Sequence, residues 1–170
     1  MSRKYDVIVV GARCAGAPTA MLLARKGYKV LLLDRSSFPS EIPHGHFIHR
    51  DGPRYLRDWG LLDRVIATGC PPSTTIILDA GDFCLVGRDL VRDGIAAGYG
   101  PRRGALDKVL VDAAIEAGAE LREGCAIEEY LTEGNRVVGV RGRDCARGSP
   151  ATERPCNRCC GRHCRSGAPT

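Results

Sequence analysis

The sequence predicts an α/β fold: a Rossmann-like βαβ unit carrying a parallel sheet, with a partial antiparallel excursion further along. Three observations predict it. A short, β-branched apolar run from Tyr5 to Val10 is closed by a glycine-rich turn. A segment with apolar residues at helical spacing, Ala17 to Lys26, follows that turn directly. A second apolar run, Lys29 to Leu33, then closes on Asp34 and Arg35. Strand, turn, helix and strand in this order suit parallel strands joined by a crossover helix.

The run from Tyr5 to Val10 reads as a fully buried strand, because unbroken β-branched residues bounded by glycine suit the middle of a parallel sheet. In the helix, Ala20, Leu23 and Ala24 offer small and medium side chains that let it lie close to the sheet. Pro18 falls in the first turn, where a missing N–H costs little. Gly27 ends the helix. From Ser36 to Gly52 the chain carries prolines, glycines and three histidines, and reads as a long loop. Helices are predicted from Pro53 to Trp59 and from Leu61 to Ala67. Between Thr74 and Val91 weak alternation, with turn signals at Ala80-Gly81-Asp82 and Gly87, predicts two antiparallel strands. Ala105 to Gly118 is a helix with Leu106, Val109, Leu110, Ala113 and Ala114 on one face. Strands follow at Glu120 to Arg122 and Ala126 to Leu131, then at Arg136 to Arg141 after the Glu133-Gly134-Asn135 turn.

Composition narrows the class. With 170 residues, 44% of them apolar, the chain suits one domain with a hydrophobic core, here residues 1–144. The net charge of +5 resides mainly in a tail of residues 145–170, which holds five Arg against the single Glu153. Up to Asp144 there are 20 Lys and Arg against 19 Asp and Glu, a balance that argues against a nucleic-acid partner. Cys14, Cys70, Cys84 and Cys125 are dispersed, as reduced thiols of a cytosolic protein are. No apolar run approaches the roughly 18 residues that span a bilayer, and the first apolar run lacks the pattern of a signal peptide. A cytoplasmic location is the expectation, with no stable membrane insertion; the oligomeric state stays open.

The turn reads Gly11-Ala12-Arg13-Cys14-Ala15-Gly16, with the first and third glycines of G-x-G-x-x-G but arginine at the second. Its context gives it weight, since a strand precedes it, a helix follows, and Asp34 stands 23 residues beyond Gly11 at the end of the second strand. Gly11 allows the tight turn, Gly16 lets helix and sheet approach, and the helix N-terminus offers N–H groups and positive dipole to a pyrophosphate. The Asp34 carboxylate can accept hydrogen bonds from both ribose hydroxyls of an adenosine. Arg13 is the departure: it either obstructs the approach of phosphates, points outward, or pairs with a phosphate oxygen. The alternative is an ordinary βαβ turn with no ligand.

From Tyr5 to about Asp144 the sequence resembles the N-terminal part of the flavin monooxygenases related to p-hydroxybenzoate hydroxylase, including the geranylgeranyl-reductase-like oxidoreductases. Three stretches carry the resemblance: Asp6 through Gly16 with Asp34-Arg35; His49-Arg50-Asp51-Gly52 leading to Trp59-Gly60-Leu61-Leu62; and Pro101-Arg102-Arg103-Gly104-Ala105-Leu106-Asp107-Lys108-Val109-Leu110. The resemblance implies FAD rather than NAD as the bound dinucleotide. It assigns Arg50 to the pyrophosphate and ribityl region, Arg103 to the flavin's polar chain, and the backbone around Ala126 to the adenine. It also implies oxidoreductase activity in which NAD(P)H, as co-substrate, reduces FAD and the reduced flavin hydroxylates a small organic substrate with dioxygen. In the reductase-like branch a hydride passes instead to a substrate double bond. Aromatic, polyketide and isoprenoid molecules are the implied substrates. No catalytic acid or base is identified, and against the family fold the chain reads as incomplete, which leaves a cofactor-binding fragment without turnover as the competing reading.

Two histidine and cysteine clusters raise metal binding. His44, His46 and His49 lie at short spacing, but no carboxylate or thiolate accompanies them suitably, and polar loop histidines near the flavin are the preferred reading. Cys156, Cys159, Cys160, His163 and Cys164 have zinc-like spacing but sit in an Arg/Cys-rich tail without hydrophobic support. By resemblance a second FAD motif belongs there, and only Gly161-Arg162-His163 is similar to it. The tail is therefore read as foreign to the fold and without regular structure, as a reading-frame change or a truncated gene model produces, and no metal is expected; a zinc-binding interaction module through the tail is the least favoured alternative function.

Overall fold

A computed structural model describes residues 5–41, 47–49, 51–88, 91, 94–95, 97–144 and 149–153. Along the chain the elements are β1 (Val7–Val10), α1 (Gly16–Arg25), β2 (Val30–Leu33), α2 (Asp51–Asp58), α3 (Leu62–Ile66), β3 (Pro72–Ser73), β4 (Thr75–Asp79), β5 (Cys84–Arg88), β6 (Gly98–Tyr99), α4 (Arg103–Glu116), β7 (Glu120–Arg122), β8 (Cys125–Glu133), β9 (Arg136–Asp144) and β10 (Ser149–Glu153). The chain divides into two compact units, one formed by Met1–Phe38 with Leu110–Thr170 and the other by Pro39–Val109.

The first unit holds the predicted parallel sheet, in the order β1-β2-β7. Val7 pairs with Val30 and Val10 with Leu33, while Leu31 to Leu33 pair on the other side with Glu120 to Arg122. The central strand is therefore β2, and all four of its residues are buried. This corrects the expectation that the first strand is fully buried in the middle of the sheet. Among the described residues β1 has one neighbour, so its side chains are only partly covered and Val10 is 45% exposed. Side chains alternate across β2. Leu31 and Leu33 join Tyr5, Cys125 and Val140 in one core cluster, with Ile8 and Ile127 packed against it. Within α1, Ala17, Pro18, Ala20 and Met21 are buried, the face that the small residues predict. The left-handed Gly27, at φ 86°, ends the helix and donates its N–H to the Ala24 carbonyl.

An antiparallel sheet, β10-β9-β8, completes this unit. Glu133 pairs with Arg136, so Gly134 (φ 61°) and Asn135 form the two-residue turn that the sequence predicts. Two irregularities, between Ile127 and Glu129 and between Leu131 and Thr132, interrupt the pairing of β8 with β9. The sheet continues past Asp144: β10 pairs Ser149 with Asp144 and Glu153 with Val140, in a stretch that the sequence reads as lacking regular structure. Neighbouring β9 supplies the order that the polar residues of β10 do not encode. The cysteine cluster from Cys156 to Cys164 lies outside the described residues, as do His44 and His46.

In the second unit β3 pairs with β6, and Ile48 bridges to Tyr99 through two backbone hydrogen bonds of 2.7 and 2.8 Å. The two strands predicted between Thr74 and Val91 are β4 and β5, paired from Thr75↔Arg88 to Asp79↔Cys84. Both are exposed along their whole length. Helix α2 begins at Asp51, two residues before the predicted Pro53, and α4 begins at Arg103, two residues before the predicted Ala105. The second shift puts Arg103 within the first turn of a helix.

Candidate dinucleotide site

The site in the first unit is built at the C-terminal ends of the parallel strands, where ligands of open α/β sheets bind. Gly11 adopts φ 98°, a left-handed conformation, and donates its N–H to the Leu33 carbonyl at 2.7 Å. A Cβ on Gly16 would collide with the Gly11 carbonyl oxygen and lie 3.2 Å from Val9 Cγ1, so only glycine lets α1 start this close to β1. The N-cap, Ala15, makes no side-chain hydrogen bond, and the first turn of α1 holds no acidic residue. Cys14 and Ala15 are exposed. A helix N-terminus without a side-chain cap or an acidic residue in its first turn suits an external anion.

Asp34 ties the turn to the sheet. Its Oδ2 accepts the Ala12 N–H at 2.7 Å and its Oδ1 accepts the Ser36 N–H at 2.8 Å. Its own N–H donates to the Arg122 carbonyl at 3.1 Å, and its carbonyl accepts the Cys125 N–H at 2.8 Å. Through these bonds one residue joins the glycine turn, the end of β2, the end of β7 and the start of β8. With 7% of its surface exposed, Asp34 is buried and satisfied by backbone amides. Arg35 beside it is exposed, and Ala126 follows Cys125 as a half-buried residue of β8. The structure thus brings Gly11 to Gly16, Asp34, Arg35 and Ala126 to one edge of the first unit.

Arg13 reaches the loop that follows β2. Its Nη2 donates to Ser36 Oγ at 3.1 Å, and its guanidinium carbon stands 5.3 Å from the centre of the Phe38 ring. Phe38 is itself anchored, since its N–H donates to Glu123 Oε1 at 2.8 Å. Ser36, Phe38 and Glu123 are the residues that sequence reasoning missed. Their only local signal is position: Ser36 and Phe38 follow Asp34 closely, and Glu123 follows the last strand of the parallel sheet.

In the second unit Arg103 directs Nη2 to both carboxylate oxygens of Asp107, at 3.0 and 3.3 Å. The Asp107 side chain is fully buried and that of Arg103 is 13% exposed. The Arg103 Nε is buried and has no hydrogen-bond partner among the described residues. Such buried donors are ordinarily satisfied, so this Nε is open to an acceptor from outside the described residues. Arg50 lies outside the described residues, and His49 stacks on Phe47 with ring centres 5.7 Å apart. Among the described residues no three His, Cys, Asp or Glu side chains form a metal-binding group, and no helix is long and apolar enough to cross a membrane.

In the first unit, the open helix N-terminus beside a glycine turn of tight approach fits a ligand with a pyrophosphate; in the second, Arg103 carries its own unmet donor. Fold and site together define a dinucleotide-binding α/β domain of the βαβ type. The chain belongs to the FAD binding domain family, whose model matches residues 4–148. Digeranylgeranylglycerophospholipid reductase 2 of Methanothermobacter thermautotrophicus is 34% identical over 149 residues, covering 83% of this chain and 36% of its own. Protein FixC of Salmonella typhi is 30% identical over 146 residues, covering 80% of this chain and 32% of its own. The chain spans about a third of the length of these relatives. The solved structure of the myxobacterial halogenase CndH, a variant of the FAD-dependent halogenases, shares the fold with a TM-score of 0.81 at 24% identity, over 90% of this chain and 36% of its own. The resemblance read from the sequence is met, and the halogenase adds a branch that the sequence reading does not include.

Proposed function

We propose that this chain forms the FAD-holding part of an NAD(P)H-dependent flavin oxidoreductase that hydroxylates a small organic substrate. The observation that carries the reading is the Gly11 to Gly16 turn clipped by Asp34 beside an uncapped helix N-terminus. When bound, FAD supplies the redox chemistry, and the protein supplies position, electrostatics and exclusion of water. The backbone N–H groups of the turn and the start of α1 would hold the pyrophosphate, with the Arg13, Cys14 and Ala15 positions around it. Asp34 and Arg35 organise the ribose end, and the backbone at Ala126 meets the adenine. Arg50 serves the pyrophosphate and ribityl region. Arg103 offers its unmet Nε to the flavin's polar chain, and its pairing with buried Asp107 fixes the guanidinium for that contact.

The substrate class is aromatic, polyketide or isoprenoid, and the location cytoplasmic. The similarity to the digeranylgeranylglycerophospholipid reductase favours a second reading, in which a substrate double bond is reduced. A third reading is FAD binding without turnover, because only Gly161-Arg162-His163 is similar to the second FAD motif that the resemblance implies.

Purified protein separates these readings. Refolded with excess FAD and desalted, it should be yellow and show the absorbance of oxidised flavin; a colourless preparation overturns the FAD reading. NAD(P)H oxidation by the yellow protein separates an enzyme from a binding fragment. Consumption of dioxygen in step with NAD(P)H favours hydroxylation over reduction of the substrate.

A further inference from the structure

We propose that Arg13 is a specificity-determining residue for the adenosine diphosphate half of the cofactor, acting as a charged, planar platform fixed by Ser36 and Phe38. The inference rests on the FAD reading and deepens it. At the position of Arg13 glycine is usual, because a side chain there threatens the approach of phosphates to the turn. Here the side chain reaches the loop beyond β2, with Nη2 on Ser36 Oγ and the guanidinium over the Phe38 ring. That loop is held by the Ser36 N–H on Asp34 and the Phe38 N–H on Glu123. The cation is therefore fixed at the end of β2, where the ribose of a dinucleotide lies in βαβ sites. A half-buried guanidinium seated on an aromatic ring offers both positive charge and a flat face, which match a purine nucleoside diphosphate. Asp34, which ordinarily meets the ribose in such sites, already gives one oxygen to each of two backbone amides and is 7% exposed. Arg13 accordingly adds a fixed cationic contact to the adenosine half beside the ribose end that Asp34 organises.

The test compares wild-type protein with Arg13→Gly, Arg13→Lys and Phe38→Leu in the full chain, measuring affinities for FAD, ADP and FMN by calorimetry and the unfolding temperature of each variant. Arg13→Gly should weaken FAD and ADP in parallel, by roughly 5- to 30-fold, the loss expected for a charge-assisted contact. FMN affinity, which does not involve the adenosine half, should stay at its wild-type value. Arg13→Lys keeps the charge but loses the planar fork, and Phe38→Leu removes the ring; both should fall between. These two variants decide the matter if Arg13→Gly fails to fold. Wild-type protein that binds neither FAD nor ADP overturns the FAD reading. Wild-type protein that binds FAD while all three variants keep FAD and ADP affinity within about two-fold overturns the role of Arg13 alone. Loss of FAD and FMN together, with a lowered unfolding temperature, makes Arg13 a structural residue and also overturns the proposal.

Discussion

The two carboxylate oxygens of Asp34 accept amide hydrogens from Ala12 and Ser36, so its replacement strikes stability as well as binding. Asp34→Ala leaves two amides in a buried setting without acceptors and should cost about 2–4 kcal/mol of folding stability. It should also weaken FAD binding by about 1–3 kcal/mol by loosening the turn. Asp34→Asn keeps one acceptor oxygen and should lose about half as much. Denaturant unfolding beside flavin titration reads both quantities, and unchanged values for Asp34→Ala would remove this residue from the site. At Arg103 the cost of substitution falls on the partner, Asp107. Removing the arginine strands the fully buried Asp107 carboxylate, so Arg103→Ala should cost about 3–5 kcal/mol. The double variant Arg103→Ala with Asp107→Ala should recover much of that stability but none of the FAD affinity, because the Nε donor is still gone. Recovery of both would place Arg103 outside the cofactor contact. At this scale the sequence is only partly legible. The two glycines are legible because the tight turn and the close helix approach leave them few substitutes, whereas the Asp34 hydrogen bonds to Ala12 and Ser36 and the Arg103 pair with Asp107 are not read from the sequence. The direction of Arg13 is not legible, since it depends on Ser36 and Phe38, which the pairing of β2 with β1 brings to the turn.

The strands and helices differ in how far local pattern decides them. Helix α1 and strands β2, β7 and β9 follow from periodicity and turn chemistry; β7 keeps its predicted ends, and the structure moves an end of each of the others by one to three residues. The place of β1 at the edge of the described sheet is a property of strand order, which no local pattern carries. The pairing of β10 is likewise nonlocal. Two predictions belong to this scale. Gly16→Ala puts a methyl group against the Gly11 carbonyl and forces α1 away from β1; FAD affinity should fall at least ten-fold, by roughly 1.4 kcal/mol or more, in a flavin titration. The other concerns the opposite end of the parallel sheet. There the Tyr5 hydroxyl donates to Glu120 at 2.7 Å and accepts from Arg122 at 2.9 Å. Burial pushes the Tyr5 hydroxyl above its ordinary value and the Glu120 hydrogen bond adds to this, while Arg122 pulls the other way. In the unfolded chain a tyrosine ionises near pH 10, before the folded one. The stabilisation is thus fully present below about pH 10 and is lost as the pH rises through the higher folded value. Unfolding midpoints of wild type and Tyr5→Phe should converge in that alkaline window; parallel curves would show that the network does not couple to folding.

At the scale of the whole molecule, exposed apolar surface governs association and ligand binding is linked to folding. The β4–β5 hairpin exposes Ile76, Ile77, Leu78, Leu85 and Val86, with Ile77 64% and Val86 65% exposed, a patch of the kind that promotes association. Ile77→Lys with Val86→Glu should raise solubility in a precipitation assay and leave the unfolding midpoint within about 0.5 kcal/mol, since neither side chain is buried. The cofactor supplies the complementary test. A ligand that binds only the folded chain stabilises it by an amount set by its concentration relative to Kd, about 2.7 kcal/mol at one hundred times Kd. FAD at that ratio should therefore raise the unfolding temperature by several degrees, and the increment should grow with the logarithm of FAD concentration. The same titration on Gly16→Ala should show a smaller increment at equal FAD, because the folded variant binds more weakly. An increment independent of FAD concentration, or equal in the two proteins, would mean that flavin does not bind at the turn between β1 and α1.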